Sequence, residues 1–157
     1  MQVHLSTGLT DLSIEVFISK KSRKLIIGGT DGTLAMGWGS GSSQFSHLIS
    51  PLEALQARAR QDRTVIQWVL NDFNLKLIGN TAKQATVCFA FLKADSGEGY
   101  ISVDGNQGDR KNLTAWGSGD DLVTTVAGNC SNTIVVIHSV GQINMEKVIF
   151  SKGKFNK

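Results

Sequence analysis

The sequence predicts an α/β fold, one domain over residues 1–157, built on a mainly parallel sheet. Two apolar runs, Thr86-Val87-Cys88-Phe89-Ala90-Phe91 and Thr133-Ile134-Val135-Val136-Ile137, are continuous rather than alternating. Continuous runs of this kind suit strands buried on both faces, as in parallel sheets. Segments with helical spacing lie between the runs, and such alternation points to right-handed crossovers. At 157 residues, 41% hydrophobic and 18% charged, the chain holds one core and is too apolar for disorder.

The elements follow in order. Leu25-Ile26-Ile27 reads as the first strand, and a Gly-rich loop from Gly28 to Ser43 comes after it. At Ser50-Pro51-Leu52-Glu53 a helix begins: Ser50 can cap, Pro51 suits the first helical position and Glu53 closes a capping box. Leu52, Leu55 and Ala59 then share one face. Val65–Val69 is the second strand, and Asn74 to Gln84 a helix weakened by Gly79. After the third strand, Thr86 to Phe91, a second Gly-rich loop runs from Asp95 to Gly108. A helix opens at Ser118-Gly119-Asp120-Asp121, carries Leu122, Val123, Val126 and Ala127 on one face and stops near Asn129; the last strand is Thr133–Ile137. Ligands of open α/β sheets sit outside the carboxyl ends of the strands, so a site should use these loops and the segment after Ile137.

Composition excludes several classes. No run of about 18 apolar residues exists to span a membrane as a helix. Met1-Gln2-Val3-His4-Leu5-Ser6 lacks the basic and apolar regions of a secretory signal. The net charge is +3, with lysines and arginines gathered toward the ends, at Lys20 to Lys24 and Lys147 to Lys157. That pattern reads as solvated termini, not a nucleic-acid surface, which would interleave aromatics with the basic residues. Two cysteines cannot make a disulfide scaffold. Cys88 reads as inert within its strand, and Cys130 sits at a helix end that would not activate it.

Candidate chemistry concentrates in the second loop. Asp95-Ser96-Gly97-Glu98-Gly99-Tyr100 places two carboxylates three residues apart beside a tyrosine. An aromatic face can favour the protonated carboxyl that a general acid needs; the plainer reading is a polar turn. Asp104 to Arg110 has neither the sixth-position Gly nor the twelfth-position Glu of a calcium loop, and Asp109-Arg110 instead reads as a pair that locks the loop by hydrogen bonds and charge. Gly37 to Gly41 lacks the Gly-Lys-Ser/Thr ending of a phosphate loop. His138 can line a crevice or be buried against backbone, and Ser139 has no nucleophile elbow. His4, His47 and His138 show no ligand spacing, so no metal and no cofactor is expected.

Thr33-Leu34-Ala35-Met36-Gly37-Trp38-Gly39-Ser40-Gly41, Ser50 to Ala59, Ala94 to Trp116 and Cys130 to Gly141 together resemble fungal β-glucosidases of glycoside hydrolase family 3, in order and spacing, over about residues 25–146. Residues 1–22 and 147–157 diverge. The resemblance implies a three-layer sandwich like the second domain of those enzymes. In them, a preceding barrel carries the nucleophilic aspartate in a Ser-Asp-Trp motif, and that motif does not occur here. It also implies that Glu98 is the acid/base, with Tyr100 lining the leaving-group side. Asp95, Trp38, Trp116 and His138 complete the expected substrate-binding set, and Asp109 and Arg110 structure the loop. Gln142 stands where the family has proline, and Lys147-Val148 where it has Pro-Trp.

Retaining glycoside hydrolysis needs two carboxyl groups about 5–5.5 Å apart. Glu98 alone supplies one. The expected function is therefore a β-glucosidase-like domain, non-catalytic by itself, that binds β-linked glucosides, other glycans or a protein. The alternative is a β-glucoside hydrolase whose nucleophile comes from a barrel domain or partner. Surface left without its partner domain would favour homo-oligomers. The resemblance implies relatives that are typically secreted. Asn112-Leu113-Thr114 and Asn129-Cys130-Ser131 are glycosylation sequons, expected to stay unmodified if no signal segment exists.

Overall fold

The computed structural model describes residues 3–6, 23–27, 40, 46–47, 49–103 and 105–150. Strands β1 (Val3–Ser6), β2 (Arg23–Ile27), β3 (Val65–Val69), β4 (Cys88–Ala94) and β7 (Thr133–Ser139) form one sheet in the order β1-β7-β4-β2-β3. Every neighbouring pair in it is parallel. A small antiparallel hairpin joins β5 (Ser102–Val103) to β6 (Asn106–Gln107). The helices are α1 (Pro51–Gln61), α2 (Leu75–Ala82), α3 (Gly119–Asn129) and α4 (Glu146–Phe150).

The continuous apolar runs are strands covered on both sides, because successive side chains point to opposite faces. On β4, Cys88, Ala90 and Leu92 join Val135 and Ile137 of β7 in one core with Ile78 and Ala82 of α2, Leu122, Val123 and Val126 of α3, and Val148 of α4. Phe91 faces the other way, against Leu52 and Leu55 of α1, with Ile66, Phe89 and Val136. Helices on both faces of a parallel sheet make the three-layer sandwich.

Local signals account for the helix starts. Ser50 Oγ accepts from Glu53 N at 3.0 Å, with Pro51 in the first turn. Asn74 Oδ1 accepts from Leu77 N at 3.1 Å and opens α2. Ser118 precedes α3 without capping it; its hydroxyl donates instead to Asp72 O at 2.7 Å. Gly79, costly to α2 by propensity, lets the helices approach closely. A Cβ there would stand 3.2 Å from Asn129 Nδ2 and 3.5 Å from Thr125 Cγ2 on α3.

The sequence reading is corrected at the cysteines. Cys88 and Cys130, 42 residues apart, form a disulfide with a Cα–Cα distance of 6.4 Å. It ties the start of β4 to the residue that ends α3, and both cysteines are buried. Strand β1, the β5–β6 hairpin and α4 are also additions to what the sequence reading foresaw. Lys147 Nζ pairs with Asp120 Oδ2 at 3.5 Å, linking α4 to the first turn of α3.

From β2 the chain moves outward through α1 to β3. It then steps back over β2 to β4, and continues through α3 to β7. The direction of winding reverses between β2 and β4. A crevice at the carboxyl ends of these two strands is where such sheets bind ligands.

Candidate functional site at the carboxyl ends of the sheet

The loop after β4 is held by its own backbone. Ile101 N donates to Glu98 O at 2.9 Å, closing a turn in which Gly99 has φ 56°. Gly108 N donates to Ile101 O at 2.9 Å. At Gly97 a Cβ would lie 2.7 Å from Ile101 O and 2.9 Å from Gly108 O, so the fold of this loop requires glycine there. Ser96 Oγ accepts from Arg110 N at 3.0 Å and pins the far limb.

Glu98 stands at the exposed tip of this turn. Its carboxylate accepts from Ser40 N at 2.5 Å through Oε2 and from Ser40 Oγ at 3.2 Å through Oε1. Ser40 belongs to the Gly-rich loop after β2. Ser40 and Glu98 therefore meet across the point where the winding reverses. Tyr100, 87% exposed, projects beside them.

Arg110 anchors the same end of the sheet. Its guanidinium donates to Ser139 Oγ at 3.4 Å and to Gln142 O, joining the loop after β4 to the end of β7. Ser139 Oγ donates in turn to Gly141 O at 2.6 Å. Arg110 thus ties the loop after β4 to the segment that follows β7. Asp109 is exposed and, among the described residues, forms no ion pair with Arg110.

The remaining expected residues separate by burial. Asp95 is 6% exposed. One of its oxygens accepts from Ser96 N at 2.8 Å, and the other takes no hydrogen bond among the described residues. His138 is half-buried and stacks on Phe91, with ring centroids 6.2 Å apart. Trp116, 3% exposed, packs inward, and its backbone N donates to Lys93 O at 2.8 Å. In this structure its ring offers no free face. Trp38 lies outside the described residues. Among those residues, no group of three His, Cys, Asp or Glu is placed to hold a metal ion.

Residues 17–154 match the glycosyl hydrolase family 3 C-terminal domain. The chain belongs to this family. It is 48% identical over 120 residues to beta-glucosidase 1 of Aspergillus aculeatus, a match spanning 76% of the chain and 14% of the relative. Beta-D-glucoside glucohydrolase from Trichoderma reesei superposes with a TM-score of 0.74 at 34% identity, over 87% of this chain and 23% of that one. A glycoside hydrolase family 3 beta-glucosidase from Neurospora crassa gives a TM-score of 0.66 at 43% identity, over 72% and 14%. The chain thus spans about a seventh of the length of the curated relatives it matches.

Within this family 3 domain, sequence reasoning missed three serines that organise the site: Ser40, Ser96 and Ser139. Ser40 lies 58 residues from Glu98, and Arg110 lies 29 from Ser139. Only the strand order makes them neighbours. The available signal was weak: small hydroxyl residues within glycine-rich loops at predicted strand ends. No helix among the described residues is long and apolar enough to cross a membrane.

Proposed function

We propose that the chain is a β-glucosidase-like domain, non-catalytic by itself, that binds β-linked glucosides or a protein partner through the loop carrying Glu98 and Tyr100. The observation that carries this reading is the contrast between its two candidate carboxylates. Glu98 is exposed at the tip of the loop, oriented by Ser40. Asp95 is buried at its base and engaged by Ser96 N. A nucleophile must reach the anomeric carbon, and Asp95 is enclosed where a sugar ring cannot follow. Tyr100 offers the exposed aromatic surface on which a pyranose face or a partner side chain can stack.

The same geometry supports a second reading, in which Glu98 is the acid/base of a β-glucoside hydrolase and a barrel domain or partner brings the nucleophile. Ser40 would then keep the carboxyl aimed while its proton passes to the leaving-group oxygen. Such positioning accounts for about 7–11 kcal/mol of a barrier when it is complete, and half a site forfeits most of it.

An aryl β-glucoside assay tests the claim. The chain alone is expected to show no turnover above buffer. Turnover that disappears in Glu98→Gln would overturn the non-catalytic reading. Tryptophan fluorescence under titration with β-glucosides and laminari-type oligosaccharides is expected to saturate, and Tyr100→Ala to weaken binding roughly two- to tenfold. A flat titration would leave protein binding as the remaining role of the loop.

A further inference from the structure

We infer that Asn112 is an N-glycan acceptor of this chain and that Asn129, the Asn of the second sequon, is not. The two sequons stand in opposite surroundings. Asn112, Leu113 and Thr114 are all exposed. Asn112 Oδ1 accepts from Thr114 Oγ1 at 2.8 Å and from Thr114 N at 3.1 Å. Both donors fall on the amide oxygen, and among the described residues Asn112 Nδ2 makes no hydrogen bond. The nitrogen that must take the sugar is therefore uncommitted.

At Asn129 that nitrogen is occupied. Its Nδ2 donates to Thr125 O at 2.7 Å and lies 3.2 Å from where a Cβ on Gly79 would stand. A glycan on that atom would have to part α2 from α3. The middle residue of the sequon, Cys130, is 3% exposed and committed to the disulfide.

The disulfide is also an independent observation on the compartment. Buried structural disulfides form and persist in oxidising compartments, and these include the lumen in which N-glycans are transferred. The donor class is an oligosaccharide linked through diphosphate to a polyisoprenol. Asn112 Nδ2 bonds to C1 of the sugar as the C1–O bond to the diphosphate breaks. The amide gives up one proton and the polyisoprenyl diphosphate leaves, with no net oxidation.

The test directs the full chain through the secretory pathway of a yeast and removes glycans with an amidase that leaves aspartate at the acceptor. A mobility shift equal to one glycan is expected, with aspartate found at 112 and Asn retained at 129. The shift should vanish in Asn112→Gln and in Thr114→Ala, and persist in Thr114→Ser and Asn129→Gln. Peptide mapping without reductant confirms that each secreted variant keeps the Cys88–Cys130 bridge. A bridged, secreted chain with no glycan would overturn the inference. So would a shift that survives Asn112→Gln.

Discussion

The two faces of the sheet are built differently. Under α2, α3 and α4, no buried residue of the core cluster exceeds 7% exposure, and Ile78, Leu92 and Leu122 are sealed completely. Under α1, Phe91 is the buried member of its cluster among the described residues, and Leu52, Leu55, Ile66, Phe89 and Val136 around it are only partly covered. Beside α1 the edge strand β3 leaves Trp68 48% exposed, in a shallow cleft shared with Gln56, Ala59, Arg60, Thr64 and Ile66. Among the described residues, the more tightly sealed packing therefore lies on the side of α2, α3 and α4.

Chemical denaturation can break or sharpen this contrast. The largest loss is expected from the Cys88→Ala, Cys130→Ala pair, which removes the staple on the sealed side. Loop-closure entropy for cysteines 42 residues apart gives about 4 kcal/mol. Next, Leu122→Ala, also on the sealed side, should cost about 3 kcal/mol, and Leu55→Ala on the open side about 1.5 kcal/mol. Equal losses at these two leucines would show that the faces are equivalent after all. The smallest effect is expected from Ser50→Ala. It deletes the α1 cap and should lower stability by about 1 kcal/mol with the denaturant slope unchanged.

Much of this architecture was legible because it depends on local pattern. The runs at Thr86 and Thr133 declared a buried sheet, and Ser50-Pro51 and Asn74 marked helix starts. Gly79 weakened a correct helix, since its reason lies in the approach of Asn129 and Thr125 from another helix. Strand β1 was invisible because only its register with Val135 to His138, far along the chain, makes it a strand. The cysteine bridge was missed for the same reason: spacing alone cannot show that a strand's start and a helix's end are adjacent. At the site, the loop that carries Glu98 and Tyr100 was legible as glycine-rich sequence after a strand, while its exposed tip was not. The inward packing of Trp116 and the partnership of Ser40 with Glu98 are tertiary facts that composition does not carry.

The bridge and the loop carrying Glu98 occupy opposite ends of β4, Cys88 at its first residue and Asp95 just past its last. Seven residues of strand at about 3.3 Å each place roughly 20 Å of hydrogen-bonded ladder between them. The part of the molecule that secures the fold is thus remote from the part that faces the outside world. Glu98 and Tyr100 can be exchanged without disturbing the anchor, and such a scaffold is free to acquire new specificities by rewriting its tip.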